Sequence, residues 1–131
     1  MYQSSKLEQL ELEGNDLRNE GVHRLFVALQ ISKSLTSINL VSNNIDFQDE
    51  ALLTAVQLCW LNNKKLAKYN FAQNTLTDDG VQKLASFLPE APHIQEVGMS
   101  EWITAETLTL FKEALSANRP KKGKKGGKKK K

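Results

Sequence analysis

From Leu7 the chain reads LEQLELEGNDL, with leucines at 7, 10, 12 and 17. Steps of three, two and five fit neither an amphipathic helix, which repeats at three and four, nor a strand, which alternates by two. The spacing returns as LTSINLVSNNI from Leu35, as LAKYNFAQNTL from Leu66 and, more weakly, as IQEVGMSEWIT from Ile94. These starts lie 28, 31 and 28 residues apart. The first three copies place apolar residues at offsets 0, 3, 5 and 10 and asparagine at offset 8, which is Asn15, Asn43 and Asn74. Self-similarity at such a period marks stacked units, each burying its neighbour's apolar flank, and it outranks any local reading.

The pattern has a physical reason. Offsets 2–6 predict one short strand per unit, in which Leu10 and Leu12 point inward and Gln9, Glu11 and Glu13 point outward. The step of five is a sharp turn whose backbone groups no ladder reaches. An asparagine amide both donates and accepts, so Asn15, Asn43 and Asn74 are expected to plug these turns. Helices follow. NEGVHRLFVAL (19–29) and DDGVQKLASFL (78–88) carry Val22, Leu25, Phe26, Leu29 and Val81, Leu84, Phe87, Leu88 on one face. Asn19 and Asp78 are the expected N-caps, and Gly21 and Gly80 predict close helix approach. The second unit spends its extra residues on a longer helix, about 49–61.

The motif LxxLxLxxNxL resembles the leucine-rich repeat over nearly all of 7–118, and a helix in every unit resembles the ribonuclease-inhibitor type. The resemblance implies an α/β solenoid, a horseshoe segment of about four βα repeats with parallel strands on its concave face and helices on its convex face. It sets a repeat domain at 1–119 and a Lys/Gly-rich tail at 120–131, expected to be disordered. The fourth repeat has Trp102 at the asparagine position and Thr104 at the leucine position. It reads as a terminal cap, with Trp102 closing the core, Leu108, Phe111 and Leu115 inward, and Glu106, Thr107, Lys112 and Glu113 outward. At the other end the first strand is expected to show an unpaired edge. Either further repeats precede it, or a partner covers it, or Glu8, Glu11 and Glu13 merely blunt it.

Charge changes the picture only at the C-terminus. The tail KKGKKGGKKKK holds eight of the 18 basic residues, which leaves ten against 15 acidic residues in 1–120, a balance of −5. An acidic body thus carries a tail of +8. Lys121, Lys122, Lys124, Lys125, Lys128, Lys129, Lys130 and Lys131 are candidates for binding an acidic polymer, such as tubulin tails or nucleic acid, with steep salt dependence. The run has no arginine or aromatic residue, so no base readout is expected. A lone cysteine, no signal-like start and no apolar run of membrane-spanning length point to an intracellular, reducing setting. The cytoplasm is the expected location, with a cytoskeletal or ciliary assembly drawn by analogy and the nucleus left open.

Catalytic chemistry finds little support in the sequence. His23 and His93 lack the spacing of a metal site, and TDDG at 77–80 lacks the ligands of a calcium loop. Cys59 falls on an inward helix face and reads as a packed thiol. No metal, cofactor or small-molecule substrate is expected. The repeat resemblance implies a concave face formed by outward strand positions, with Glu11, Glu13, Asn39, Val41, Lys68 and Asn70 as candidate partner contacts. Trp60, in LCWLNNKK, is the candidate hot spot, expected to be partly exposed. The favoured function is a non-enzymatic protein-interaction module, a structural subunit of a larger assembly. Two alternatives stand beside it: a nucleic-acid or ribonucleoprotein-associated protein acting through its tail, and a regulator of a small GTPase. The GTPase-activating protein for Ran shares the repeat type and uses an arginine-bearing loop, and Arg18 is the one arginine just after a strand here.

Overall fold

The computed structural model describes residues 8–100 and 102–118. Four βα units follow one another: β1 (Gln9–Glu11), α1 (Arg18–Leu29), β2 (Ser37–Asn39), α2 (Glu50–Asn62), β3 (Lys68–Asn70), α3 (Asp78–Phe87), a 3₁₀ turn (Leu88–Glu90), β4 (Glu96–Gly98) and α4 (Ala105–Ser116). The strands form one parallel sheet in the order β1-β2-β3-β4. Its register aligns Leu10, Ile38, Tyr69 and Val97, all at offset 3 of the repeat. The sequence period is therefore the spatial period, and the chain is an α/β leucine-rich-repeat solenoid segment.

The core lies between sheet and helices. Leu35, Ile38, Leu40, Ile45, Leu66, Tyr69, Phe71 and Leu76 bury the strand side, and Val22, Phe26, Leu52, Val56, Val81 and Leu84 bury the helix side. Aromatic rings fill the middle. Phe26 stacks on Tyr69 at 6.0 Å and Phe47 meets Phe71 edge-on at 5.0 Å. The end units seal less well, for Leu10, Leu12, Leu17 and Leu25 in the first and Val97, Met99 and Leu108 in the last are only partly buried.

Asparagines run through the turns as a ladder between repeats. Asn43 Oδ1 accepts from the backbone N–H groups of Asn15 and Leu17, at 3.0 and 3.1 Å, and its Nδ2 donates to the carbonyls of Leu12 and Val41. Asn74 repeats this one unit on. Its Oδ1 accepts from the N–H groups of Asn43 and Ile45, and its Nδ2 donates to the carbonyls of Leu40, Phe71 and Ala72. Each side chain thus plugs its own turn through Nδ2, as the sequence placed it, and the turn of the preceding repeat through Oδ1. Asn63 does similar work at the end of α2, donating to the Leu29 carbonyl and accepting from the N–H groups of Lys65 and Leu66.

The caps differ from expectation. Asn19 does not cap α1; Leu17 precedes that helix without a side-chain bond, and Asn19 instead exchanges two hydrogen bonds with Asp46 of the next repeat. Asp78 lies inside α3, and the cap is Thr77, whose Oγ1 accepts from the Gly80 N–H. Thr104 caps α4 by accepting from the Thr107 N–H, and Thr107, expected outside, is buried and accepts from Gln82.

Candidate functional site

The outward strand positions converge on a shallow depression of about 320 Å³ lined by Glu11, Ser37, Asn39, Lys68, Asn70, Glu96 and Gly98 among others. Four of the six predicted concave residues, Glu11, Asn39, Lys68 and Asn70, thus come together here. Side chains hold its floor in place. Asn39 Nδ2 donates to Glu11 Oε1 at 2.8 Å and lies 3.5 Å from Glu13 Oε1, while Asn39 Oδ1 accepts from the Val41 N–H. Asn70 accepts from the Ala72 N–H in the same way. Asn70 also explains Gly98: a Cβ there would collide with its Oδ1. Lys68, from β3, pairs by register with Ser37 and with Glu96. The depression thus offers one cation among carboxylates and fixed amides.

Several expectations need correction. Val41 is buried, because the bond from its N–H to Asn39 already bends the chain into the turn. Ser100, at the same repeat offset two residues past β4, is buried as well and accepts from the Trp102 N–H. Trp60 is fully buried and packs on Tyr69 at 5.6 Å. Its helix has α1 on one side and α3 on the other, so it buries both flanks as well as its underside, and the exposed positions near its end are Leu58 and Asn62. Trp102 has the opposite fate. It does not close the core but stands 72% exposed in the turn after β4, because Ile103 fills the apolar slot one residue earlier than the repeat pattern predicts. Among the described residues, the bulky exposed aromatic is therefore Trp102. A break in the repeat at exactly that residue was the available signal. The lysines from Lys121 to Lys131 lie outside the described residues.

Other chemistry-bearing groups are tied down. Arg18 forks onto Asp16, with Nε and a terminal nitrogen each 3.0 Å from a carboxylate oxygen. Cys59 is buried with Sγ 3.9 Å from the Tyr69 hydroxyl, and burial pushes its thiol pKa up to about 11. Both ring nitrogens of His93 are shielded from solvent and lack a well-formed hydrogen bond. Burial first, and then the charge of Lys64, hold its pKa below the usual histidine range against a contact with the Asn63 backbone. Among the described residues, no three of His, Cys, Asp and Glu gather as a metal-binding group, and no helix is long and apolar enough to cross a membrane.

The family model of the leucine-rich repeat matches residues 3–25 and 62–85, within the first repeat and across the start of the third. The chain carries leucine-rich repeats. No curated protein matches this leucine-rich-repeat chain in sequence. Among solved structures it is similar to leiomodin-1 actin-binding site 2, with a TM-score of 0.61 and 16% identity over 88% of this chain and 82% of that one. It is also similar to the tropomodulin C-terminal domain of Caenorhabditis elegans, with a TM-score of 0.59 and 16% identity over 88% of this chain and 86% of that one. At that identity the likeness establishes the shared fold.

Proposed function

We propose that this protein is a non-enzymatic interaction module serving as a structural subunit of a cytoskeletal assembly. Glu11, Glu13, Asn39, Lys68 and Asn70 on the concave side form the polar part of its contact surface, and Trp102 is the energetic anchor. The observation that carries the reading is the exposed tryptophan at the end of a preordered polar strand face. Tryptophan is over-represented among residues that dominate binding energy, and here the fold gains nothing from holding it in solvent. The setting draws support from the shared fold with leiomodin-1 actin-binding site 2. Co-sedimentation with actin filaments tests it: the full chain is expected in the pellet, and Trp102→Ala and Lys68→Glu each weaken binding roughly tenfold. Absence from the pellet, or variants that bind like the parent, would remove the proposal.

The eight lysines of 121–131 favour a second reading, a sequence-independent hold on an acidic polymer. Truncation after residue 119 is then expected to abolish binding to microtubules and to nucleic acid alike, and full-length binding should fall steeply between about 50 and 200 mM salt.

A further inference from the structure

The asparagine ladder is complete at one end of the solenoid and half-filled at the other. Asn15 holds the same internal contacts as Asn74: its Nδ2 donates to the carbonyls of Leu12 and Glu13, three and two residues back, at 2.9 and 3.4 Å. Asn74 donates to Phe71 and Ala72 at the same two offsets. The Oδ1 of Asn74 then takes two N–H groups from the preceding turn, and no described group donates to the Oδ1 of Asn15. The strand beside it is equally one-sided. Toward β2, the carbonyl of Glu8 accepts, and the N–H groups of Leu12 and Gly14 donate. By the alternation of a parallel ladder, the backbone groups of Gln9, Glu11 and Glu13 face away from the sheet. Half-buried Leu10, Leu12, Leu17 and Leu25 stand behind them.

We infer that this face docks a further leucine-rich-repeat unit, beyond the four seen here, stacked in parallel so that its last turn gives two backbone N–H groups to Asn15. The required chemistry names the occupant. An antiparallel strand brings no such turn, and a helix, although its first turn has free N–H groups, would leave the edge of β1 unpaired; another repeat supplies both in phase. A second copy of this chain does not fit, because its last turn is already satisfied. Ser100 Oγ takes the Trp102 N–H, and Asp78 takes the Thr104 N–H, the two groups equivalent to those that Asn43 and Asn74 receive. The inference rests on the reading of the chain as an interaction module, but it uses neither the concave face nor Trp102.

The test supplies the unit by tethering. A copy of residues 35–65 is inserted between Lys6 and Leu7 of the full chain, which repeats the native junction of Lys65 with Leu66. Docking is expected to raise the melting temperature and to slow hydrogen exchange at the Gln9 and Glu11 amides by roughly 100-fold. Asn15→Leu should be nearly neutral in the parent and should cancel most of the gain in the insertion variant. An insertion without thermal gain would overturn the inference, as would an Asn15→Leu effect equal in both backgrounds or Gln9 and Glu11 amides already protected in the parent. Sedimentation showing a parent dimer that Asn15→Leu dissolves would reassign the occupant to a second copy and overturn it too. Actin co-sedimentation of the parent reads the functional proposal separately, so either can fail without the other.

Discussion

Asn43 is one residue whose four side-chain hydrogen bonds join two successive repeats in a fully buried site. Asn43→Leu keeps the volume and strands those partners, so thermal or denaturant unfolding should show a loss of about 3 kcal/mol or more. Cys59 makes a chemical prediction. With its pKa near 11 against an ordinary 9.0, the native thiol at pH 8 should react with a maleimide about 100-fold more slowly than in denaturant. The sign for stability follows, because a raised folded pKa disfavours the thiolate. Stability is expected intact below pH 9 and to decline as pH climbs toward 11. His93 acts at the other limit. Its folded pKa lies below 6.5, so the unfolded chain takes up the proton more readily, and stability should fall as pH drops through 6.5. His93→Leu should flatten that acid limb in melting curves measured between pH 7 and 5.

At the scale of the element, the two helix glycines that look alike in sequence behave differently. A Cβ at Gly80 would come within 2.6 Å of Phe47, including its backbone carbonyl, whereas one at Gly21 would meet only Leu17, at 3.2 Å. Gly80→Ala should therefore destabilise by about 1–2 kcal/mol despite the better helix propensity of alanine, and Gly21→Ala should be near neutral or stabilising. The second repeat spends its extra residues mostly before α2, which at 13 residues is barely longer than the 12 of α1. Phe47 in that segment, held at φ 61° and fully buried, is what Gly80 makes room for. The strands and helices were legible because apolar spacing reports which face is buried. Trp60 was not, because a helix flanked on both sides leaves only a narrow exposed stripe, Glu50, Thr54, Leu58 and Asn62, against which its inward side is hard to read. Trp102 was half legible: the break in the repeat marked it, but periodicity does not say that Ile103 takes the core slot and leaves Trp102 in solvent. The concave amides were half legible: Asn39 and Asn70 were expected to face outward, but their grip on the turn behind Val41 and Ala72 depends on three-dimensional geometry.

The molecule as a whole is a linear stack, and a linear stack has ends. Repeat arrays gain stability mainly from nearest-neighbour interfaces, and here the middle units carry the aromatic core while the first keeps its leucines partly wet. Native-state exchange should accordingly show the strongest amide protection in β2 and β3 and the weakest in β1. Every strand is three residues long. At about 3.3 Å per residue and about 4.8 Å between strands, the inner strip measures roughly 10 by 14 Å, about a fifth of the roughly 800 Å² that a durable one-to-one complex covers on each partner. A ligand gripped by that strip alone would come and go quickly. Lasting residence in an assembly then requires simultaneous attachment at separate points on the same molecule, each weak by itself and together sufficient.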